Sequence, residues 1–128
     1  MPTPLERTGE ARLTERRSRF LALAFPAPDL EEVRRQVKAW KTRHRRSRHT
    51  CWACRVPDGS GGVVEQMRDD GEVGHPGRVL LELLRKHDLT GGVVVARIFG
   101  GVKLGTGGVS RAFREAGAEA VERAMGRE

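Results

Sequence analysis

Apolar positions along this chain follow two periods, and the switches between them predict its elements. Between Arg19 and Phe25, Phe20, Ala22 and Ala24 fall on one face of an extended segment and Leu21, Leu23 and Phe25 on the other. Apolar residues on both faces predict a strand covered on more than one side, ended by Pro26 and Pro28. Asp29 with Glu32 three residues on reads as a capping box. Leu30, Val33, Val37 and Trp40 follow at helical spacing, to about His44. Residues 49–56 read as a second strand, 57–62 as a hairpin turn and 63–67 as a third strand. A loop opens at Asp69, and a helix from about Pro76 carries Val79, Leu80, Leu83 and Leu84 on one face. Gly91 and Gly92 lead into the unbroken apolar run 93–99, a central strand buried on both sides. After a Gly-rich loop at 100–108, a last helix places Val109, Ala112, Phe113, Ala116, Ala120 and Ala124 together. The order β-α-β-β-α-β-α predicts an α+β domain, a mixed sheet with helices packed on it. Residues 1–15 are expected as a polar arm and 16–128 as one domain.

Composition sets limits on that picture. At 128 residues, 38% hydrophobic and 32% charged, the chain suits one globular domain with its own core. No apolar run nears the roughly 20 residues a membrane span needs. The first residues lack the apolar stretch of a signal peptide, so the cytosol is the expected location. The net charge is +7. Only Lys38, Lys41, Lys86 and Lys103 of the 24 cations are Lys; the rest are Arg, whose guanidinium grips phosphates bidentately.

Four stretches could carry chemistry. The loop between the buried strand and the last helix can present backbone N–H groups to an anion, with Lys103, Thr106, Gly107, Gly108, Ser110 and Arg111 completing a phosphate site. It is neither a Walker loop nor a dinucleotide fingerprint, and a glycine-rich turn serving backbone geometry alone is the plainer alternative. Asp69, Asp70 and Glu72 could hold a divalent cation or act as acid and base, although an Asp-Gly loop is more often structural. No cofactor and no resident metal is expected. Cys51 and Cys54, three apart in a strand, should face opposite sides and sit as buried thiols. His49 and Cys51 share a face, which leaves a nucleophilic pair as a lesser alternative. Lys41, Arg43, Arg45, Arg46 and Arg48 place five cations in eight residues. That exceeds what a helix C-terminus needs and suits phosphate-backbone contact. Trp40, on the apolar stripe, is expected in the core.

Taken in order, several motifs resemble the N-terminal domain of the IMPACT/YigZ family. They are Ser18-Arg19-Phe20, His49-Thr50-Cys51-Trp52-Ala53, Asp69-Asp70-Gly71-Glu72, the run from Arg97 to Gly108, and Arg111-Ala112-Phe113. The likeness covers roughly residues 16–124. The chain departs from the pattern at Val73-Gly74-His75-Pro76-Gly77, one residue shorter than the usual loop, and at Ile98 and Cys54, where aromatics are common. The resemblance implies a two-layer α+β fold like the second domain of a small-subunit ribosomal protein and domain IV of the translocation elongation factor. Eukaryotic relatives regulate translation by binding the activator of an initiation-factor kinase, and bacterial relatives have no firmly assigned reaction. Typical bacterial relatives also carry a ferredoxin-like C-terminal domain, so a function needing both domains would draw on a partner. Two hypotheses follow. The first is a translation-associated module, more a binder than an enzyme, contacting RNA, the ribosome or a translation factor through Arg43, Arg45, Arg46, Arg48, Lys103 and Arg111. The second is a small-ligand or metal-dependent enzyme on a phosphorylated substrate, with His49, Asp69, Asp70 and Glu72 as catalytic candidates.

Overall fold

The computed structural model describes residues 1–127. Its elements are β1 (Thr3–Pro4), β2 (Gly9–Glu15), β3 (Ser18–Phe25), α1 (Leu30–Arg43), β4 (His49–Pro57), β5 (Val63–Arg68), α2 (Pro76–Lys86), β6 (Leu89–Ile98) and α3 (Gly105–Ala124). The sheet runs β2-β3-β6-β4-β5 with antiparallel neighbours, and β1 pairs in parallel with β6. The α+β class and the order from β3 onward follow the sequence pattern.

Two apolar clusters occupy opposite faces of the sheet, as alternation along β3 requires. Phe20, Ala22 and Ala24 join Cys51, Val93, Val95 and the inner faces of α2 and α3. Leu21, Leu23 and Phe25 join Cys54, Val94 and Ala96 beneath Val33 and Trp40 of α1. Where the resemblance implies two layers, α1 thus adds a partial third. Phe20 and Phe113 meet edge to face at 5.2 Å in the larger cluster, and Trp40 donates its indole N–H to the Leu21 carbonyl at 2.9 Å. Asp29 caps α1 as expected, its Oδ1 accepting from the Glu32 N–H at 2.8 Å. The Glu32 carboxylate instead accepts from Arg35 and Gln36, so the box is closed from one side.

Two expectations change. Residues 1–15 are no arm: β2 pairs with β3 along its whole length, and β1 adds to β6. Gly91 and Gly92 are not a lead-in but part of β6, whose ladder continues to Leu89. Gly92 lies directly under the Phe25 ring, where a Cβ would collide with it.

Candidate functional site

One end of the sheet gathers most of the residues singled out from sequence. β4 begins there with His49, paired across the ladder with Arg97, one residue before the end of β6. Arg48 N–H donates to the Arg97 carbonyl at 3.1 Å, which brings the α1–β4 loop alongside. Gly100 packs against the Arg17 backbone with no room for a Cβ, and its N–H donates to the buried Ser18 hydroxyl at 3.1 Å. The β2–β3 hairpin, the α1–β4 loop and the loop before α3 are thereby held side by side.

Between them lies a cleft of about 400 Å³, lined by Arg48, His49, Glu72, Val73, Arg97, Phe99, Lys103, Leu104, Gly105, Thr106 and Val109. The Glu72 carboxylate sits with both oxygens 3.1 Å from Arg97 Nη1, and the two side chains are only 4% and 9% exposed. The Arg97 guanidinium lies between the Phe20 and Phe99 rings, 5.6 Å from each centroid, and its buried Nε has no acceptor. Arg48 stacks over Phe99 at 5.5 Å. α3 starts in the wall of this cleft behind Leu104, with no side chain capping its first N–H groups and no acidic residue in its first turn. Free N–H groups and the positive end of the helix dipole therefore border the cavity.

The acidic loop does not form a carboxylate cluster. Asp70 Oδ2 accepts from the Thr50 N–H and Asp69 Oδ1 from the Gly77 N–H at the start of α2, each at 2.8 Å. The Asp70 carbonyl lies 2.8 Å from His49 Nδ1, and the Asp69 carbonyl accepts from the Cys51 thiol at 3.1 Å. These bonds stitch the loop to β4 and turn Asp69, Asp70 and Glu72 toward three different partners. No group of three or more His, Cys, Asp or Glu side chains stands close enough to hold a metal ion among the described residues. Cys51 and Cys54 are buried free thiols in the two separate clusters. Burial pushes the Cys51 thiol well up, and the carboxylates of Glu72, Asp70 and Asp69 push the same way, so it supplies no thiolate to pair with His49.

The anion set divides. Lys103 and Thr106 line the cleft. Gly107 is exposed at the helix start, and Ser110 packs against Gly74. Gly108 and Arg111 border a separate hollow with Glu15, Arg16 and Glu115. The basic run divides too. Arg43 pairs with Glu10 at 3.2 Å and lies over Trp40, which removes it from the cationic surface. Arg45 and Arg46 are exposed on the loop leading to Arg48.

Sequence reading missed Arg97 and Phe99 as cleft residues, and Arg16 and Arg17 altogether. The last two form the tip of the β2–β3 hairpin with φ of 45° and 71°. Two-residue hairpins with positive φ at both positions favour Asn-Gly, so an Arg-Arg pair carries no turn signal. Arg16, Arg17, Arg45, Arg46, Arg48 and Lys103 are all exposed, and among the described residues none has a carboxylate within ion-pair distance.

Fold and cleft together define a class: an α+β domain whose sheet ends in a cation-ringed cleft, its carboxylates engaged within the fold. The chain belongs to the family described as the Impact N-terminal domain, whose model matches residues 16–121. It is 42% identical over 111 residues to "IMPACT family member in pol 5'region" of Thermus thermophilus, covering 84% of this chain and 57% of that protein. It is 32% identical to "IMPACT family member YvyE" of Bacillus subtilis, over 85% of this chain and 50% of that one. A crystal structure of a protein described only as hypothetical superposes with a TM-score of 0.84 at 25% identity, over 94% of this chain and 59% of that one. The two-domain translational regulator Yih1 superposes with a TM-score of 0.62 at 31% identity, over 97% of this chain and 49% of its own. The chain spans about half the length of the curated relatives it matches. None of its helices, among the described residues, is long and apolar enough to cross a membrane.

Proposed function

We propose that this domain is a translation-associated binding module of the cytoplasm that engages RNA, free or on the ribosome, through the cationic end of its sheet. The observation that carries this reading is that exposed Arg48 and Lys103 line one cleft while exposed Arg16, Arg17, Arg45 and Arg46 stand on the adjoining loops, none of the six, among the described residues, within ion-pair distance of a carboxylate. Arg16 and Arg17 add weight, because left-handed backbone at a non-glycine residue costs about 1 kcal/mol or more. Such strain is characteristic of functional positions. A relative that is a translational regulator supports the translation link. The enzymic alternative needs free carboxylates for a metal or for proton transfer, and Asp69 and Asp70 are committed to backbone N–H groups.

Binding to structured RNA and to ribosomes, measured across a salt series, tests the proposal. Affinity should fall linearly with salt on a log–log scale, by about 0.7 to 0.9 in slope for each phosphate neutralised. Arg45→Ala, Arg46→Ala and Arg48→Ala together should remove most of that slope, while Arg85→Ala at the far end leaves it intact. A flat salt response, or equal loss in both variants, would overturn the reading.

A further inference from the structure

The cleft at the centre of the cationic end has a charge balance of its own. Three cations line it, Arg48, Arg97 and Lys103, against one carboxylate, Glu72, leaving two positive charges. The N-terminus of α3 adds about half a charge more. A phosphodiester carries a single negative charge, whereas a phosphomonoester carries about −1.5 to −2 at neutral pH. The cleft thus matches the monoester. Its other walls are apolar: Phe99, Val73, Leu104 and Val109 offer a flat and aliphatic surface, with Phe99 39% exposed. The part of the Phe99 ring left open by Arg48 and Arg97, which lie over it, suits contact with a nucleobase.

Two independent features point the same way. Arg97 is 7% exposed, and its Nε is buried without an acceptor in the cleft wall. Gly107 sits in the first turn of α3, where glycine weakens a helix. Its φ is not left-handed, and a Cβ there would meet nothing within 4 Å. Neither the backbone nor packing within the chain asks for glycine at this position. Its bare Cα leaves the first turn of α3 open to close approach by a ligand.

We infer that the cleft is a binding site for a phosphomonoester carried on a nucleobase-bearing body, a nucleoside monophosphate or the 5′-phosphate end of an RNA strand. The phosphate lies against Lys103, the Thr106 hydroxyl and the first N–H groups of α3, and the base lies along Phe99. The inference deepens the RNA-binding proposal and rests on it only for where the phosphate comes from.

The test compares one short RNA bearing either a 5′-phosphate or a 5′-hydroxyl, with adenosine monophosphate and adenosine alongside, by titration against the full chain. The phosphorylated strand should bind about tenfold more tightly, the size expected when charge-assisted hydrogen bonds are gained. Lys103→Ala with Thr106→Val, both at exposed positions, should erase that difference. Gly107→Ala should reduce it while the unfolding temperature holds or rises, which a merely structural glycine would not do. Equal binding of the two strands overturns the cleft and leaves the cationic surface standing. So does a phosphate preference that survives in Lys103→Ala with Thr106→Val. Binding of adenosine monophosphate but of neither strand supports the cleft and overturns the RNA reading. Binding of none overturns both.

Discussion

Where β4 ends, Arg55 donates to Glu65, to Asp88 and to the Leu89 carbonyl, each at 3.1 Å, and Arg85 closes on the same Glu65 at 2.9 Å. Where β4 begins, Arg48 and its neighbours Arg45, Arg46, Arg16 and Arg17 meet no carboxylate among the described residues. One chain thus uses arginine in two ways: Arg55 and, in the cleft wall, Arg97 are paired and buried, while the loops at the start of β4 carry exposed arginines without a carboxylate partner among the described residues. Paired and half-buried, the guanidinium belongs to the fold, and the Arg85 hydrogen bond holds the Glu65 carboxyl below its usual range. Exposed and unpaired, it contributes little to stability and repels its neighbours. The proposed RNA partner would give it a role there.

The comparison breaks most sharply at Arg55. Its side chain is 10% exposed, so Arg55→Ala empties a buried place and leaves the Leu89 carbonyl without this donor, while Glu65 keeps Arg85 and Asp88 turns to solvent. Losing that buried hydrogen bond and the packing of the side chain should cost about 1–3 kcal/mol. Arg45→Ala, Arg46→Ala or Arg48→Ala should each shift stability by no more than about 0.5 kcal/mol. Urea unfolding of the four variants decides it. A loss at Arg48 equal to that at Arg55 would mean that the unpaired end is structural after all.

The hairpin tip reverses the sign. Replacing Arg16-Arg17 by Asn-Gly relieves two left-handed backbones and should raise stability by about 1–2 kcal/mol. The same change should weaken RNA binding and lower its salt slope by about one to two phosphate contacts. Stability gained at the cost of function marks a site kept strained for a partner. A stabilised hairpin that binds RNA as before would remove Arg16 and Arg17 from the interface.

Those two residues also show where the sequence stops being readable. α1, α2, α3, β3, β4 and β6 were legible because each buries a patterned set of apolar side chains, and β5, none of whose residues is buried, because it follows the turn signal at 57–62. β2 was not. Its inward positions are Gly9, Ala11 and Leu13 at a sheet edge, and two of the three are too small to register as a hydrophobic stripe. With β2 unseen, the hairpin and its two arginines stayed unseen as well. Gly91 and Gly92 read as a break because the Phe25 ring that fills the space above Gly92 is far away in the chain. The same reason governs the site. Lys103, Thr106 and Arg48 were named from local chemistry, and all three line the cleft. Asp69 and Asp70 were named on equal grounds. Their partners, Gly77 and Thr50, lie 8 and 20 residues away, and only the fold shows them to be occupied. Arg97 hid inside an apolar strand, where no pattern sets apart an arginine that faces a cleft.

The smallest effect concerns a histidine on the border between the two uses of charge. His44 caps the C-terminal end of α1 with its ring edge-on to Trp40 at 4.4 Å, and its buried Nε2 has no partner. A helix C-terminus favours a cation, yet burial first and the charge of Arg43 second hold this imidazole below its ordinary value of 6.5; Arg12 and Arg19 act the same way, and Glu10 opposes them. Folding therefore favours the neutral ring. As the pH drops below 6.5 the unfolded chain takes up this proton before the folded one does, and the stability tied to the neutral form drains away until the folded value is reached. His44→Leu removes the titration. Between about pH 7.5 and 5.5, above the range of ordinary carboxylates, the urea midpoint of the wild type should fall more than that of the variant. Parallel declines would show that His44 binds its proton as readily folded as unfolded, and that burial and the charges of Arg43, Arg12 and Arg19 do not disfavour it.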